Sequence, residues 1–176
     1  MCIRDSVTTD LAEPGDLLLL VGHTRHEFAG SHFDLVHGAP TDIGTVPTPD
    51  ASASQRYRRL HTAMRAGLIR SCHDLSEGGL AVALAEMAIA GRLGATIDRL
   101  PTDDATTSLF AESTGRFVLE VSPGDLARLN DTLDEPVVVL GQVTAAAELR
   151  LPGCRTLSVD ELLSAWQRTD GSEGTA

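Results

Sequence analysis

The chain alternates short apolar runs with amphipathic segments. Apolar runs bounded by glycine, proline or polar residues predict strands at residues 16–22, 68–72, 95–97, 116–121 and 136–143. Apolar residues at helical spacing predict a helix at residues 54–68. A content of Ala, Leu, Glu and Met predicts a helix at 80–90, a proline in the first turn predicts one at 123–133, and a capping box predicts one at 158–167, with one or two helical turns at 106–110. Residues 148–151 are expected to return beside 136–143 as the second strand of a hairpin. This alternation predicts one α/β domain with helices packed on a sheet.

Local signals add detail to the helices. Arg56 and three further arginines fall on faces of the first helix other than the one carrying Tyr57, Leu60 and Met64. Gly91 is expected to cap the C-terminus of the second helix. Ser158 and Glu161 have the spacing of a capping box, which places the start of the last helix at residue 158.

Composition narrows the classes of function. The 176 residues carry a net charge of −11, and all 14 basic residues are arginine. An acidic chain without a basic patch disfavours nucleic acid and anionic membranes as partners. No apolar run approaches the length of a transmembrane helix. The three cysteines form no CxxC pair, so we expect reduced thiols and a cytoplasmic location.

The chain is expected to divide into three parts. Residues 1–6 resemble the translation of an adapter used in DNA library preparation, which predicts a non-native leader and a natural sequence that extends further upstream. Residues 7–168 form the predicted domain. Residues 169–176 are polar and predicted to be a flexible tail.

The segment 71–80, with sequence SCHDLSEGGL, carries the clearest chemical signal. A strand ends, two glycines follow and a helix begins, so Ser76, Gly78 and Gly79 are candidates for binding a phosphate or nucleotide. His73, Asp74 and Glu77 would support that site. The alternative, which the sequence physics favours, is that Ser76 or Asp74 caps the helix and the glycines only permit a tight entry.

A second candidate lies at residues 109–118, with sequence LFAESTGRFV. Ser113 could bind the same phosphate or nucleotide, with Glu112 and Arg116 supporting it. The alternative is a turn between a helix and a strand in which Glu112 and Arg116 form an ion pair, and the residues alone favour that alternative.

Neither a metal centre nor a catalytic residue is predicted. His23, His26, His32 and His37 are irregularly spaced and have no cysteine nearby. Cys72 and His73 are neighbours on a predicted strand, so their side chains should point to opposite faces of the sheet. No nucleophile–histidine pair follows from the sequence.

Three motifs in the same order resemble the phosphoribosylformylglycinamidine synthase family. The run CHDLSEGGLAVALAEMAIAG is similar to a helix-opening motif of that family. VGHTRHEFAGS is similar to its G-x-T-x-x-E-x-G-G-S segment, with Ala29 in place of the first paired glycine, and LFAESTGRFVLEV is similar to its L-F-x-E-S-x-x-R-F segment. The resemblance covers about residues 15–168. Thr114 stands where the first unit of the family has a glutamine in an E-S-Q segment that contacts the substrate.

The resemblance implies a three-layer α/β/α fold, the C-terminal domain of the aminoimidazole ribonucleotide synthetase superfamily, in the second of two tandem units. It implies an ATP-dependent ligase of purine biosynthesis that converts the formamide of formylglycinamide ribonucleotide to an amidine. ATP and Mg²⁺ activate the formamide oxygen, and ammonia from glutamine displaces it.

The resemblance also implies partners and limits. The catalytic, metal and ATP ligands would lie mainly in an upstream ATP-binding domain of the same chain, so this chain alone is expected to be inactive and to hold no cofactor. A glutaminase and a small accessory subunit would supply ammonia. Two alternatives stay open: another enzyme of the superfamily, such as selenide water dikinase or thiamine-monophosphate kinase, and a non-catalytic interface module.

Overall fold

The computed structural model describes residues 6–37 and 44–168. Its sheet has seven strands in the order β2-β4-β1-β5-β3-β6-β7. Their bounds are β1 Leu17–Val21, β2 Ser71–Asp74, β3 Gly94–Ile97, β4 Phe117–Val121, β5 Val137–Thr144, β6 Glu148–Arg150 and β7 Leu157–Ser158. All neighbouring strands are antiparallel except β3 and β6, which are parallel.

Six helices accompany the sheet in these residues. Their bounds are α1 His32–His37, α2 Ala53–Arg65, α3 Gly79–Gly91, α4 Ala105–Phe110, α5 Leu126–Leu133 and α6 Val159–Gln167. None of the helices in the described ranges combines the length and the apolarity that a membrane crossing requires.

The strand β1 explains why both faces of the sheet are covered. Leu18 and Leu20 join one apolar cluster with α3, α4 and α6. Leu19 and Val21 join a second cluster with α2 and α5 on the opposite face. Successive side chains of a strand alternate between faces, so an uninterrupted apolar run needs helices on both sides. The predicted α/β/α layering is therefore confirmed.

Several elements differ from the sequence prediction. The predicted hairpin of residues 148–151 with β5 is wrong, because β3 lies between β5 and β6. β6 pairs with β3 and β7 instead. β2 begins at Ser71 rather than at residue 68. Gly91 is the last residue of α3, and Arg92 takes the left-handed cap conformation at φ 55°. Gly91 is needed for another reason, because a Cβ there would lie 2.1 Å from the carbonyl oxygen of Leu11.

Three further predictions are decided by local geometry. A short 3₁₀ turn at Pro123–Asp125 precedes α5, so the predicted helix begins later than residue 123. The capping box of Ser158 and Glu161 is present at the start of α6. The helix α1 was not predicted at all. Residues 1–5 of the predicted leader and the whole predicted tail lie outside the described residues.

Charged side chains inside the fold are held by partners distant in sequence. Arg56 is 1% exposed and is buried together with Leu60, whereas Tyr57 of the predicted apolar face is 48% exposed. The Arg56 guanidinium donates to both carboxylate oxygens of Glu135 and, at 2.9 Å each, to Asp50 Oδ2 and the Gly115 carbonyl. On the other side of the sheet, the buried Glu120 carboxylate accepts the Ala12 and Glu13 backbone N–H groups and the Ser71 hydroxyl. Buried charges persist only where they are paired in this way.

Candidate functional site

The glycine turn between β2 and α3 has a backbone that only glycine adopts without strain. Gly78 and Gly79 have φ angles of 76° and 66°, in the left-handed region. A Cβ on Gly79 would lie 2.6 Å from the carbonyl oxygen of Ala111 and 3.0 Å from that of Leu109. The start of α3 therefore packs against the backbone that leads from α4 towards β4.

Both glycine amides already have partners inside the chain. The Gly78 N–H donates to Glu112 Oε1 at 2.7 Å, and the Gly79 N–H donates to the Ser76 carbonyl at 3.1 Å. No side chain of the turn caps α3. The predicted cap by Ser76 or Asp74 is therefore wrong, since a carboxylate from another segment takes its place.

Glu112 joins the beginnings of two helices. The same Oε1 atom accepts the His32 N–H of α1 at 2.9 Å, and the side chain is only 14% exposed. A carboxylate at helix N-termini is favoured by the unpaired N–H groups and by the helix dipoles. Among the described residues no ion pair links Glu112 to Arg116, so that prediction is also wrong.

Ser113 and Arg116 lie in the interior, each 0% exposed. The Ser113 hydroxyl accepts the Arg25 N–H at 3.0 Å and donates to the Arg25 carbonyl at 3.2 Å. Arg116 donates to the Ser113 carbonyl, the Thr24 hydroxyl and the Ala111 carbonyl. Burial lowers the pKa of Arg116 to about 10. The two side chains thus fix the loop before β4, and no face of Ser113 is open to a ligand.

Three of the other predicted residues line a surface cleft, and His73 and Asp74 lie outside it. His73 Nε2 lies 2.9 Å from Glu86 Oε2 and donates to it, because a carboxylate can only accept. Asp74 and Glu77 are 66% and 79% exposed, respectively. Ser76, Glu77 and Gly78 line a cleft of about 250 Å³ together with His32, Val82 and Glu86. The structure therefore brings Ser76, Glu77 and Gly78 together at one surface and keeps Gly79 and Ser113 behind it.

An apolar pocket of about 210 Å³ continues this cleft along α1. Phe33, Val36 and Phe110 line it, and His32, Gly78 and Val82 line both spaces. Sequence reasoning missed His32, Val82 and Glu86. Val82 and Glu86 lie four residues apart on α3, so helical spacing could have placed them on one face; the position of His32 depends on α1, which carries no clear periodic pattern.

Neither metal binding nor cysteine chemistry is supported here. Within residues 6–37 and 44–168, no three His, Cys, Asp or Glu side chains are grouped so that they could hold a metal ion. Cys72 packs on the side of the sheet that α2 and α5 cover, whereas His73 faces α3, as the strand periodicity predicts. Burial raises the pKa of the Cys72 thiol to about 12, which keeps it protonated and unreactive.

Comparisons with known proteins give a family and a fold. The family model described as AIR synthase related protein, C-terminal domain, matches residues 13–153. Thermotoga maritima PurL complexed with FGAR has a TM-score of 0.73 at 20% identity, over 89% of this chain and 29% of that chain. Thermotoga maritima PurL complexed with ATP has a TM-score of 0.66 at 18% identity, over 91% and 27%.

A further match is to E. coli HypE, with a TM-score of 0.61 at 16% identity, over 87% of this chain and 52% of that chain. The chain spans less than a third of the PurL chains and about half of the HypE chain. At these identities the solved structures show a shared fold.

Proposed function

The chain belongs to the AIR synthase related proteins as a C-terminal domain of that family, and from this premise we propose that it is part of an ATP-dependent ligase of the PurL type. In that reaction ATP transfers a phosphoryl group to the formamide oxygen of formylglycinamide ribonucleotide. Ammonia then displaces phosphate to leave the amidine. The observation that carries the proposal is the match to PurL in complex with FGAR over 89% of this chain, joined to the three sequence motifs.

The cleft beside α3 is the part of this chain that we assign to the active region. It is formed by Ser76, Glu77, Gly78 and His32, and it is exposed. Glu112 holds the two helix starts that form its wall at fixed positions. We propose that this wall faces the substrate or nucleotide and that the rest of the longer protein closes over it.

The wall limits how a phosphate would bind there. The Gly78 amide is occupied by Glu112, and the exposed Glu77 carboxylate would repel an anion. Ser76 lines the same surface and its side chain is exposed to solvent. Among the described residues no three His, Cys, Asp or Glu side chains are grouped as a metal site would require, so we propose that the upstream domain holds Mg²⁺ and the ATP phosphates. We also propose a glutaminase and a small accessory subunit as the source of ammonia.

Reconstitution tests the proposal. The 176-residue chain and a longer protein with its natural upstream sequence are compared for ADP release and amidine formation with ATP, ammonia and formylglycinamide ribonucleotide. We expect activity only in the longer protein. Amidine formation by the short chain contradicts its assignment as an inactive part. If the longer protein releases ADP only with a phosphoryl acceptor other than formylglycinamide ribonucleotide, it is a different enzyme of the superfamily.

Two variants of the longer protein test the cleft. Ser76→Ala should lower kcat/KM about tenfold, as loss of a contact worth about 1.4 kcal/mol in the transition state would do. Ser164→Ala removes an exposed serine of α6 and is the control, with unchanged kinetics expected. Equal kinetics for both variants would remove the cleft from the active region and leave the family assignment intact.

A further inference from the structure

A second and larger cleft shares Ser76 and Glu86 with the first and lies between β2, α3 and α6. Its volume is about 550 Å³, and its lining includes Thr9, His73, Ser76, Glu86, Ile89 and Trp166. Trp166 is the single tryptophan of the chain and is 66% exposed. The exposed indole gives this cleft an aromatic surface that a ligand can reach.

The polar side chains of this cleft are one carboxylate, one imidazole and two hydroxyls. Glu86 supplies the only carboxylate among the lining residues, and no arginine lines the cleft. His73 holds Glu86 Oε2 in place at 2.9 Å, while the Glu86 side chain remains 39% exposed. The hydroxyls of Thr9 and Ser76 can also accept hydrogen bonds, although each can donate one as well.

We propose that this cleft binds an organic cation with N–H donors, a guanidinium or ammonium group, beside Trp166 and Glu86. The indole face attracts a cation through its quadrupole, and the fixed carboxylate accepts charge-assisted hydrogen bonds. Ile89 provides apolar surface for the alkyl stem of such a ligand. A chain of net charge −11 draws cations towards it and repels anions. The cation belongs either to a free small molecule or to a side chain of a neighbouring polypeptide.

The single tryptophan makes occupancy directly measurable. The 176-residue chain is titrated with n-butylguanidinium while Trp166 fluorescence is followed, and n-butylurea serves as the neutral analogue of the same shape. We expect a saturable change in emission with the cation only. Equal responses to both compounds overturn the proposal, because they show binding without recognition of charge.

Two variants identify the residues that bind. Glu86→Gln and Trp166→Leu should each weaken n-butylguanidinium about fivefold or more by calorimetry. Glu148→Gln, at an exposed carboxylate on β6, is the control and should bind as the parent does. Thermal melting checks that each variant is folded. Trp166 is on the surface, so its variant decides the matter if Glu86→Gln disturbs the fold, and unchanged affinity in Trp166→Leu overturns the proposal.

A peptide distinguishes the two sources of the cation. Acetyl-Gly-Arg-Gly-amide is compared with n-butylguanidinium and with the same peptide carrying neutral citrulline. Tighter binding of the arginine peptide than of the free cation indicates a polypeptide partner. Equal or weaker binding of that peptide indicates a free cation. Binding of the citrulline peptide as tight as that of the arginine peptide overturns the proposal.

Discussion

Replacing Gly79 by alanine should reduce the free energy of unfolding by about 3 kcal/mol, with comparable contributions from the left-handed backbone and from close approach to neighbouring backbone atoms. The left-handed backbone at φ 66° costs a residue with a Cβ about 1–2 kcal/mol. The new methyl group would also lie 2.6 Å from the carbonyl oxygen of Ala111 and 3.0 Å from that of Leu109. These are backbone atoms that no rotamer change can move, and overpacking of this kind costs about 1–3 kcal/mol.

Gly153 provides the control that separates the two contributions. Its φ of +75° is nearly the same, but nothing lies within 4 Å of the position its Cβ would take. Gly153→Ala should therefore lose only the backbone contribution of about 1–2 kcal/mol. The difference between the two variants measures the packing of α3 against the backbone of residues 109–111.

Urea unfolding followed by circular dichroism measures both variants. We expect a lower midpoint for Gly79→Ala with an unchanged m-value, and a melting temperature about 6–12 °C below that of the parent. Equal losses for the two variants would refute the argument from close approach. Unchanged stability together with weaker nucleotide binding in the longer protein would instead assign the Gly79 amide to a ligand.

Three further predictions concern the interior and the last helix. Arg56→Met should cost about 3–5 kcal/mol in urea unfolding, because it leaves buried carboxylates unpaired, whereas Arg58→Met on the exposed side of α2 should cost almost nothing. Hydrogen bonds from the Ser158 N–H and hydroxyl lower the pKa of Glu161 to about 2. Since folding lowers that pKa, the ionised carboxylate stabilises the protein above pH 4.5, the ordinary value, and the stabilisation disappears as the pH falls towards 2. Carboxyl NMR of Glu161 should show a titration midpoint near pH 2, and Ser158→Ala should raise that midpoint. Iodoacetamide at about pH 8 should leave Cys72 unlabelled in the folded chain and label it after unfolding, as peptide mass spectrometry can show, because its pKa is about 12.

The elements that sequence predicted well are those fixed by local signals. The helix α3, predicted from its content of Ala, Leu, Glu and Met, and the capping box of Ser158 and Glu161 depend on neighbouring residues, and both are present. The helix α1 depends instead on the Ser31 hydroxyl, which accepts the Asp34 N–H, and on Glu112, which lies 80 residues away. A six-residue helix held by a distant carboxylate leaves no periodic signal in its own sequence.

The candidate site shows the same division. The strand–glycine–helix arrangement at residues 71–80 was predicted, because two adjacent glycines before an apolar helix indicate a tight turn. The sequence could not predict which backbone N–H groups of the turn have partners, since Glu112, the partner of the Gly78 amide, lies in another segment. The burial of Ser113 and Arg116 has the same cause: their partners at Thr24 and Arg25 lie about ninety residues upstream.

The central position of β1 also has a consequence for the chain while it is being made. β1 leaves the ribosome before both of its neighbours, because β4 and β5 are encoded about a hundred residues or more later. At synthesis rates of about 5–20 residues per second, the run LLLLV waits roughly 5–20 s without a partner strand. Such a run is prone to aggregate, and natural sequences flank it with residues that oppose strand addition. Glu13, Pro14 and Asp16 stand directly before β1, and in the finished fold Asp16 is paired with Arg70, so the residues that would protect the nascent strand are later built into the native structure.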